Sequence, residues 1–403
     1  MKTTKIPIGP YHPLLEEPEC FTLYVEGEKV IDVELSVGWN HRAIEKITAS
    51  KNYDQGVFVV ERICGICSTS HPFAYVQAAE EAGNVKVPQR AHFIRTIIGE
   101  LERIHSHLLW VGLAGHFIGY NTVFMWGWKW REPLLELLEM ITGNRNHYAM
   151  FKVGGVRRDI DVALFNEMNK RLDVIWQKTD MITKAVLDDP VLHARLKGIG
   201  VLSKEDALNY CVVGPTARAS GVFQDIRYCH PYAAYNQVEW KVIVQNEGDV
   251  FAKAVVRLLE IFESIKIIKE CLKKMPEGEI DSRPEKMEKG DGIGVHEAPR
   301  GEVFHFIRSN GDNVPERVKI RAPSFMNIPS FKATCMGEYI SDVALITAAV
   351  DPCYCCTERM IKVIDKEKNN GELTFNDLIK LSHNKTRKIM EETGKEFIKL
   401  ENI

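Results

Sequence analysis

Two cysteine pairs near opposite ends of the chain place the strongest constraint on its fold. The first lies in Arg62-Ile63-Cys64-Gly65-Ile66-Cys67, with His71 shortly after. The second lies in Asp351-Pro352-Cys353-Tyr354-Cys355-Cys356, with Arg359 beyond it. Each is a C-x-x-C, which presents two sulfurs on one side of a turn to a single metal. If the fold joins them, four thiolates converge on one buried centre, a donor set suited to soft transition metals. A chain built this way must close nearly its whole length around that centre.

The totals allow this. A chain of 403 residues forms one large domain or two smaller ones with a substantial core. Apolar residues at 45% and charged residues at 27% are ordinary globular values. Lys+Arg 52 against Asp+Glu 55 leaves a net charge of −3, which gives no reason to expect nucleic acid or anionic lipid as a partner. The ten cysteines do not form the dense framework of a small secreted domain, so the pairs read as metal ligands in a reducing compartment. Met1 to Pro13 carries Pro7, Gly9, Pro10 and Pro13 and no apolar run, so it is not expected to be a signal peptide. Leu108 to Phe117 is strongly apolar, but His105, His107, His116 and Asn121 interrupt and flank it. A span needs roughly 20 apolar residues. The stretch is therefore expected to be a buried core helix, and any membrane attachment falls to other molecules.

Residues 21–37 alternate around Glu26-Gly27-Glu28, which predicts a β-hairpin in a small N-terminal sheet. From His71 onward apolar residues recur at helical spacing in Ala91–Gly119, Glu132–Ile141, Asn166–Leu187 and Val238–Lys274. Pro133 would sit in the first turn of its helix, where a missing N–H costs least. The charged, glycine-rich stretch Pro276–Gly294 is expected to end the helical body. Gly301–Val318 reads as strand, Ser341–Val350 as an apolar helix, and Asp377–Lys399 as a polar amphipathic helix after a solvated linker. The expected class is mainly α: a helical body with a small N-terminal β-sheet.

Cysteine spacing alone leaves three readings open: structural zinc, a catalytic metal, or two separate redox pairs. Structural zinc sites usually draw their pairs from knuckles about 15–20 residues apart, unlike the wide separation here. The neighbours favour a catalytic metal. His41-Arg42-Ala43-Ile44-Glu45 precedes the first pair, His71 follows it, and Glu297-Ala298-Pro299-Arg300-Gly301 precedes the second. Proton relay and outer-sphere tuning call for such a carboxylate, imidazole and guanidinium, whereas structural zinc does not.

With these motifs in place, the chain resembles the large subunit of a [NiFe]-hydrogenase of the membrane-associated, energy-converting type, a line that also includes the catalytic-core subunit of respiratory complex I. The match runs from Gly9-Pro10-Tyr11-His12-Pro13 to Arg359. It includes 38–46, 100–109, Gly154-Gly155-Val156, Gly214–Gly221 with Asp225 and Arg227, and Arg321–Phe325. The complex I relatives lack the four cysteines, and Leu14-Leu15-Glu16-Glu17 departs from their pattern, which favours hydrogen chemistry.

The resemblance implies that Cys64 and Cys353 are terminal thiolates on nickel and that Cys67 and Cys356 bridge nickel to iron, with CO and cyanide completing the iron. It leaves room for a structural divalent ion such as Mg. Glu45 matches a proton-relay carboxylate, Arg300 and Asp351 a polar canopy over the metals, and His71 a histidine bonded to a cysteine sulfur. The bland readings remain: Glu45 pairing on a helix surface with Arg42 or Lys46, and His71 as a core histidine. Cys355 matches no ligand. His105 and His107 are expected in packing, and Arg218, Asp225 and Arg227 in a buried ion network or a subunit contact. The Trp126, Trp128, Trp130 group is expected in packing or an interface.

The implied activity is reversible oxidation of H₂. Residues 1–359 are expected to form the domain typical of such large subunits, and 360–403 a polar extension, either removed on maturation or kept as a helical tail. No ferredoxin-type cysteine run remains. The electron relay is therefore expected in a small subunit bearing a [4Fe–4S] cluster, docked on integral membrane subunits at the cytoplasmic face, with maturation proteins loading the metals. The rivals are a quinone- or sulfur-reducing relative and a zinc-bound scaffold subunit.

Overall fold

The computed structural model describes residues 3–12, 15–284, 286–357 and 375–394. The chain divides into two units, Met1–Glu358 and Arg359–Ile403. Within the second, the described part is one amphipathic helix, Phe375–Thr393. The linker read at Lys366–Gly371 and the start of the polar extension, Arg359-Met360, lie outside the described residues.

In the first unit, β1 (Thr4–Ile8), β2 (Cys20–Glu26) and β3 (Lys29–Ser36) form an antiparallel sheet in that order, with the expected hairpin at Gly27. The helical body follows: α1 (Ile44–Thr48), α2 (Tyr53–Glu61), α3 (Ser70–Ala82), α4 (Gln89–Phe117), α5 (Asn121–Thr142), α6 (Phe165–Asp188) and α7 (Val250–Lys274). Helix α4 is the axis. Every residue from Ala91 to Gly112 except His92 is buried along it, and α5 and α7 pack against it. The apolar stretch 108–117 is its C-terminal part. Among the described residues no helix is long and apolar enough to cross a membrane.

Two helix boundaries differ from the sequence reading. Helix α5 begins at Asn121, so Pro133 sits inside it. Gly127 meets Gly112 of α4 so closely that a Cβ on it would lie 2.8 Å from the Gly112 Cα. That backbone-to-backbone packing carries the helix through a proline that would otherwise cost about 3 kcal/mol. Helix α7 begins at Val250 rather than Val238. Gly248 takes a left-handed φ of 68°, and Asp249 accepts the Ala252 N–H at 2.7 Å as an N-cap.

The β component is also larger than expected. A second antiparallel sheet, β4 (Lys289–Ala298), β5 (Gly301–Asn310) and β6 (Arg317–Arg321), has β5 in the middle. β4 starts inside the stretch read as loop. Its Gly290, Gly292 and Gly294 all face α3, and a Cβ on Gly294 would lie 1.8 Å from the Ala74 carbonyl oxygen. Glycine here marks close backbone approach rather than a turn. Helix α8 (Ile340–Ala349) then leads into the second cysteine pair.

Candidate metal centre

The first cysteine pair lies on the loop between α2 and α3, and the second on a short 3₁₀ turn, Tyr354–Thr357, after α8. The fold brings them together. The Cys353 sulfur is 3.3 Å from that of Cys64 and 3.0 Å from that of Cys356. Cys67 completes the set through its N–H, 3.2 Å from the Cys64 sulfur. All four are buried, and none is in a disulfide. The sulfur separations exceed the roughly 2.05 Å of an S–S bond.

Four buried thiols in contact cannot all ionise unaided. Hydrogen bonds from Cys353, Cys356 and Cys67 hold Cys64 well below the usual thiol range. Cys67 and Cys353 are pushed well above it, first by their bonds to neighbouring sulfurs and then by burial. A cation would release those protons and balance the charge, so the donor set fits a soft metal. Cys64, Cys353 and Cys356 have ligand atoms within 4.8 Å of one another. Among the described residues no second group of three His, Cys, Asp or Glu side chains comes this close together.

Arg300 stands over the cysteines. Its Nη1 donates to the Cys67 sulfur at 3.2 Å and to Ser106 Oγ at 3.3 Å. Its Nε and Nη2 donate to the Asp351 carbonyl (2.8 Å) and carboxylate (2.7 Å). Burial opposes its charge, but Asp351 and the cysteine sulfurs outweigh that. Asp351 holds a left-handed φ of 59°, uncommon for a residue with a Cβ. The turn carrying Arg300 is clasped from behind: Asn327 Nδ2 donates to the Arg300 and Val213 carbonyls, and its Oδ1 accepts the Val213 N–H. His71, at the start of α3, places Nε2 3.6 Å from the Cys356 sulfur and Nδ1 3.1 Å from His305 Nε2. Burial lowers His71 to about 4, so it is neutral near pH 7.

Glu45 is not drawn to the cysteines. Its carboxylate accepts from Lys319 Nζ and from the Ile320 N–H, both at 2.9 Å. Strand β6 edges its sheet, and an edge N–H needs an acceptor; Glu45 supplies it. The residue of that motif which does reach the centre is Arg42, whose guanidinium donates to the carbonyls of Arg62, Ile63 and Cys355, stapling the two cysteine loops.

The carboxylates beside the centre come instead from the β1–β2 connection. Glu17 accepts the Cys355 N–H at 2.5 Å, and Glu19 accepts the Thr357 hydroxyl at 3.0 Å. Glu16 shares a cavity of about 30 Å³ with Asp351, Pro352 and Tyr354. Glu16 is exposed at its outer side, yet desolvation on its cavity side pushes it up to about 7, with Arg300 pulling down and Asp351 pushing up. Sequence reasoning noted Glu16 and Glu17 only as a departure from another pattern. Two adjacent acids in a loop of a small sheet, one exposed and one half-buried, carry no period that marks them as site residues.

His105 and His107 hold polar contacts inside the core. His105 Nε2 lies 3.0 Å from the Ile66 carbonyl, steadying the first cysteine loop, and His107 lies 2.9 Å from Glu260. Arg218, Asp225 and Arg227 form the expected buried ion network with Glu100, Arg103, Glu260 and Glu297. The cysteines, Arg300, Asp351 and His71 thus come together, while the hydrogen bonds of Glu45 go to strand β6.

Two family descriptions match this chain: the 49 kDa subunit of respiratory-chain NADH dehydrogenase over residues 118–289 and 282–359, and nickel-dependent hydrogenase over residues 42–112. The chain is 40% identical to the alpha subunit of the membrane-bound hydrogenase of Pyrococcus furiosus, over 96% of this chain and 94% of that one. It is 36% identical to one subunit of the F(420)H(2) dehydrogenase of Methanosarcina mazei, over 86% and 95%. Among solved structures, a chain of the membrane-bound sulfane sulfur reductase, an archaeal respiratory membrane complex, superposes with a TM-score of 0.84 at 28% identity, covering 89% of this chain and 98% of that one. This chain belongs to the family that joins [NiFe]-hydrogenase large subunits to the 49 kDa subunit of respiratory complex I. It is a member of an oxidoreductase family whose relatives are subunits of membrane-bound complexes.

Proposed function

We propose that this chain is the catalytic large subunit of an energy-converting [NiFe]-hydrogenase, oxidising H₂ and reducing protons reversibly. The observation that carries this reading is the convergence of four buried, unbridged cysteines under a buried Arg300–Asp351 pair. In it, Cys64, Cys67, Cys353 and Cys356 hold nickel and iron, with CO and cyanide on the iron. When bound, that centre supplies the acceptor and donor for the electron pair of H₂.

The chain's own residues handle charge and protons. Arg300 offers fixed N–H donors and a positive charge beside Cys67 and Asp351, an electrostatic arrangement that needs no reorganisation during reaction. A proton released at a cysteine sulfur would pass toward Glu17, which accepts the Cys355 N–H, and on to Glu16 at the solvent-exposed edge of the site. Burial excludes bulk water from the thiolates. Electrons leave to an iron–sulfur partner subunit. Integral membrane partners hold the assembly at the cytoplasmic face, and maturation proteins insert the metals.

The likeness to NADH-quinone oxidoreductase subunits and to a sulfane sulfur reductase favours a second reading: a relative that passes electrons to a quinone or to sulfur. A zinc-holding scaffold is the third. An infrared spectrum of the anaerobically purified native complex separates them. Metal-bound CO and cyanide stretches, lost in Cys67→Ala or Cys356→Ala, are expected. A silent spectrum with stoichiometric zinc overturns the hydrogenase reading in favour of the scaffold, and a silent spectrum with neither metal favours the quinone- or sulfur-reducing relative.

A further inference from the structure

One buried arginine is left unused by the proposed chemistry. Arg257 lies on α7 with none of its surface exposed. Its Nη1 donates to the Lys253 carbonyl at 2.9 Å, one turn back on the same helix. Its Nε and Nη2 are buried with no hydrogen-bond partner in the protein. A guanidinium left in this way is costly, because both its charge and its donors have been taken out of water.

The groups around Arg257 narrow what those two nitrogens serve. Glu260, almost one turn along α7, is already taken, since its oxygens bond Arg218 Nε at 2.8 Å and His107 Nε2 at 2.9 Å. The carboxylate that acts most strongly on Arg257 is Asp351. Asp351 Oδ1 accepts Arg300 Nη2 at 2.7 Å, and Oδ2 is buried without a partner. The unpaired donors of Arg257 and the unpaired acceptor of Asp351 are therefore complementary. Buried polar groups are normally satisfied, by ordered water where protein offers no partner. A cavity of about 30 Å³ borders Asp351 and Trp110, and one water needs only roughly 10–15 Å³.

Trp110 of α4 links the same two residues by a second path. The Arg257 guanidinium stacks on its ring, with Cζ 4.2 Å from the ring centroid. The indole Nε1 donates to the Ala348 carbonyl at 2.8 Å. That carbonyl also accepts the Asp351 N–H at 2.9 Å, at the residue whose φ is left-handed. Arg257 thus backs the ring that pins the Asp351 turn. Asp351 in turn takes Arg300 Nε on its carbonyl at 2.8 Å.

We infer that Arg257 and Trp110 are positioning residues for the Arg300–Asp351 pair. Trp110 holds the Asp351 backbone through Ala348, and Arg257 holds the free Asp351 oxygen through one ordered water. Both act through Asp351, which fixes the direction in which Arg300 points at the Cys67 sulfur. Burial lowers Arg257 to about 10, with Asp351 pulling it up, so it keeps its charge near pH 7. No proton moves along this path, and the passage through Glu17 and Glu16 is unaltered. The chemical consequence rests on the hydrogenase reading; the geometry does not.

A crystal structure of the native complex that resolves water is expected to show one water bonded to both Arg257 and Asp351 Oδ2. Its absence overturns the assignment, whatever metal is bound. In Arg257→Met, which removes the donors and keeps most of the bulk, the Asp351 carboxylate should turn away from Arg300 and the metal-bound CO and cyanide bands should move. The kcat for H₂ should fall on the order of tenfold to a hundredfold with KM unchanged, as for a misplaced reaction geometry. Arg257→Lys, which restores charge and donors, should recover most of that loss. Trp110→Phe keeps a ring under the guanidinium and loses the bond to Ala348; it should move the same bands, and it decides the matter if Arg257→Met does not fold. Bands at their unmodified positions in the variants, with Asp351 in place, overturn the positioning role alone. No bands in the unmodified complex overturn the hydrogenase reading, and the water and the Asp351 conformation then still decide the positioning.

Discussion

At the scale of single residues, the structure separates two acids that sequence cannot rank. Glu45 sits in a motif beside the first cysteine pair, yet its oxygens serve the edge of β6. Glu16 and Glu17 lie on a loop far earlier in the chain and end at the cysteine turn. The double variant Glu16→Gln/Glu17→Gln is expected to lower H₂ turnover by about 10²–10⁴-fold, the usual range for losing a positioned proton acceptor, with the metal content unchanged. Glu45→Gln is expected to leave turnover within about twofold, since it removes only a partly exposed pairing. Steady-state H₂ evolution with metal analysis on both variants checks the pair, and the opposite ranking would restore Glu45 as the relay. The cysteine pairs were legible as C-x-x-C motifs, and Arg300, Asp351 and His71 through the family resemblance that their motifs carry. Glu16, Arg42 and Asn327 were not, because they act through contacts made across the fold.

Among the elements, the packing of α3 on β4 decides most about the centre. Helix α3 starts at Ser70, carries His71 in its first turn and lies just beyond Cys67, so its seat sets where the first cysteine loop points. That seat is made by Gly290, Gly292 and Gly294 against the backbone of Ala74, Ala78 and Ala82. Gly294→Ala forces the helix off the strand and is expected to cost about 1–3 kcal/mol, occasionally more, as overpacking does. Denaturant unfolding measures it; a change under about 0.5 kcal/mol, typical of an unconstrained surface site, would show that α3 can shift freely. The sequence signal was present as alternate glycines in a period of two, but glycine-rich composition reads first as loop. Helix α5 shows the converse. Its amphipathic pattern was visible, while its start was hidden by Pro133 because tertiary packing on α4 outweighs the local preference.

Across the whole molecule, a buried ion cluster ties the helical core to the segment carrying Arg300. Arg218 on the Gly214–Arg218 turn of helix pairs with Glu260 of α7 at 2.8 Å and with Glu297 of β4 at 2.8 Å, and Arg227 pairs with Glu100 of α4 at 3.0 Å. Four carboxylates, Glu100, Asp225, Glu260 and Glu297, face three guanidiniums, from Arg103, Arg218 and Arg227, so removing one cation leaves buried charge uncompensated. Arg218→Met is expected to destabilise the first unit by about 3–5 kcal/mol. Thermal unfolding of the metal-loaded complex should register this as a clearly lowered midpoint, whereas an unchanged midpoint would mean that the remaining arginines carry the cluster.

By itself the sequence determined the family, the four cysteines and the helical character of the body. Those features are carried by residue types at short, fixed spacings, and hydrophobic period and C-x-x-C geometry are local properties. Only the tertiary structure decided which carboxylates bond the second cysteine turn, that a second sheet lies against α3, and that His71 meets His305 behind the centre. Those are contacts between segments distant in sequence. They arise where burial must find a partner for each polar group, and no local pattern specifies which partner that will be.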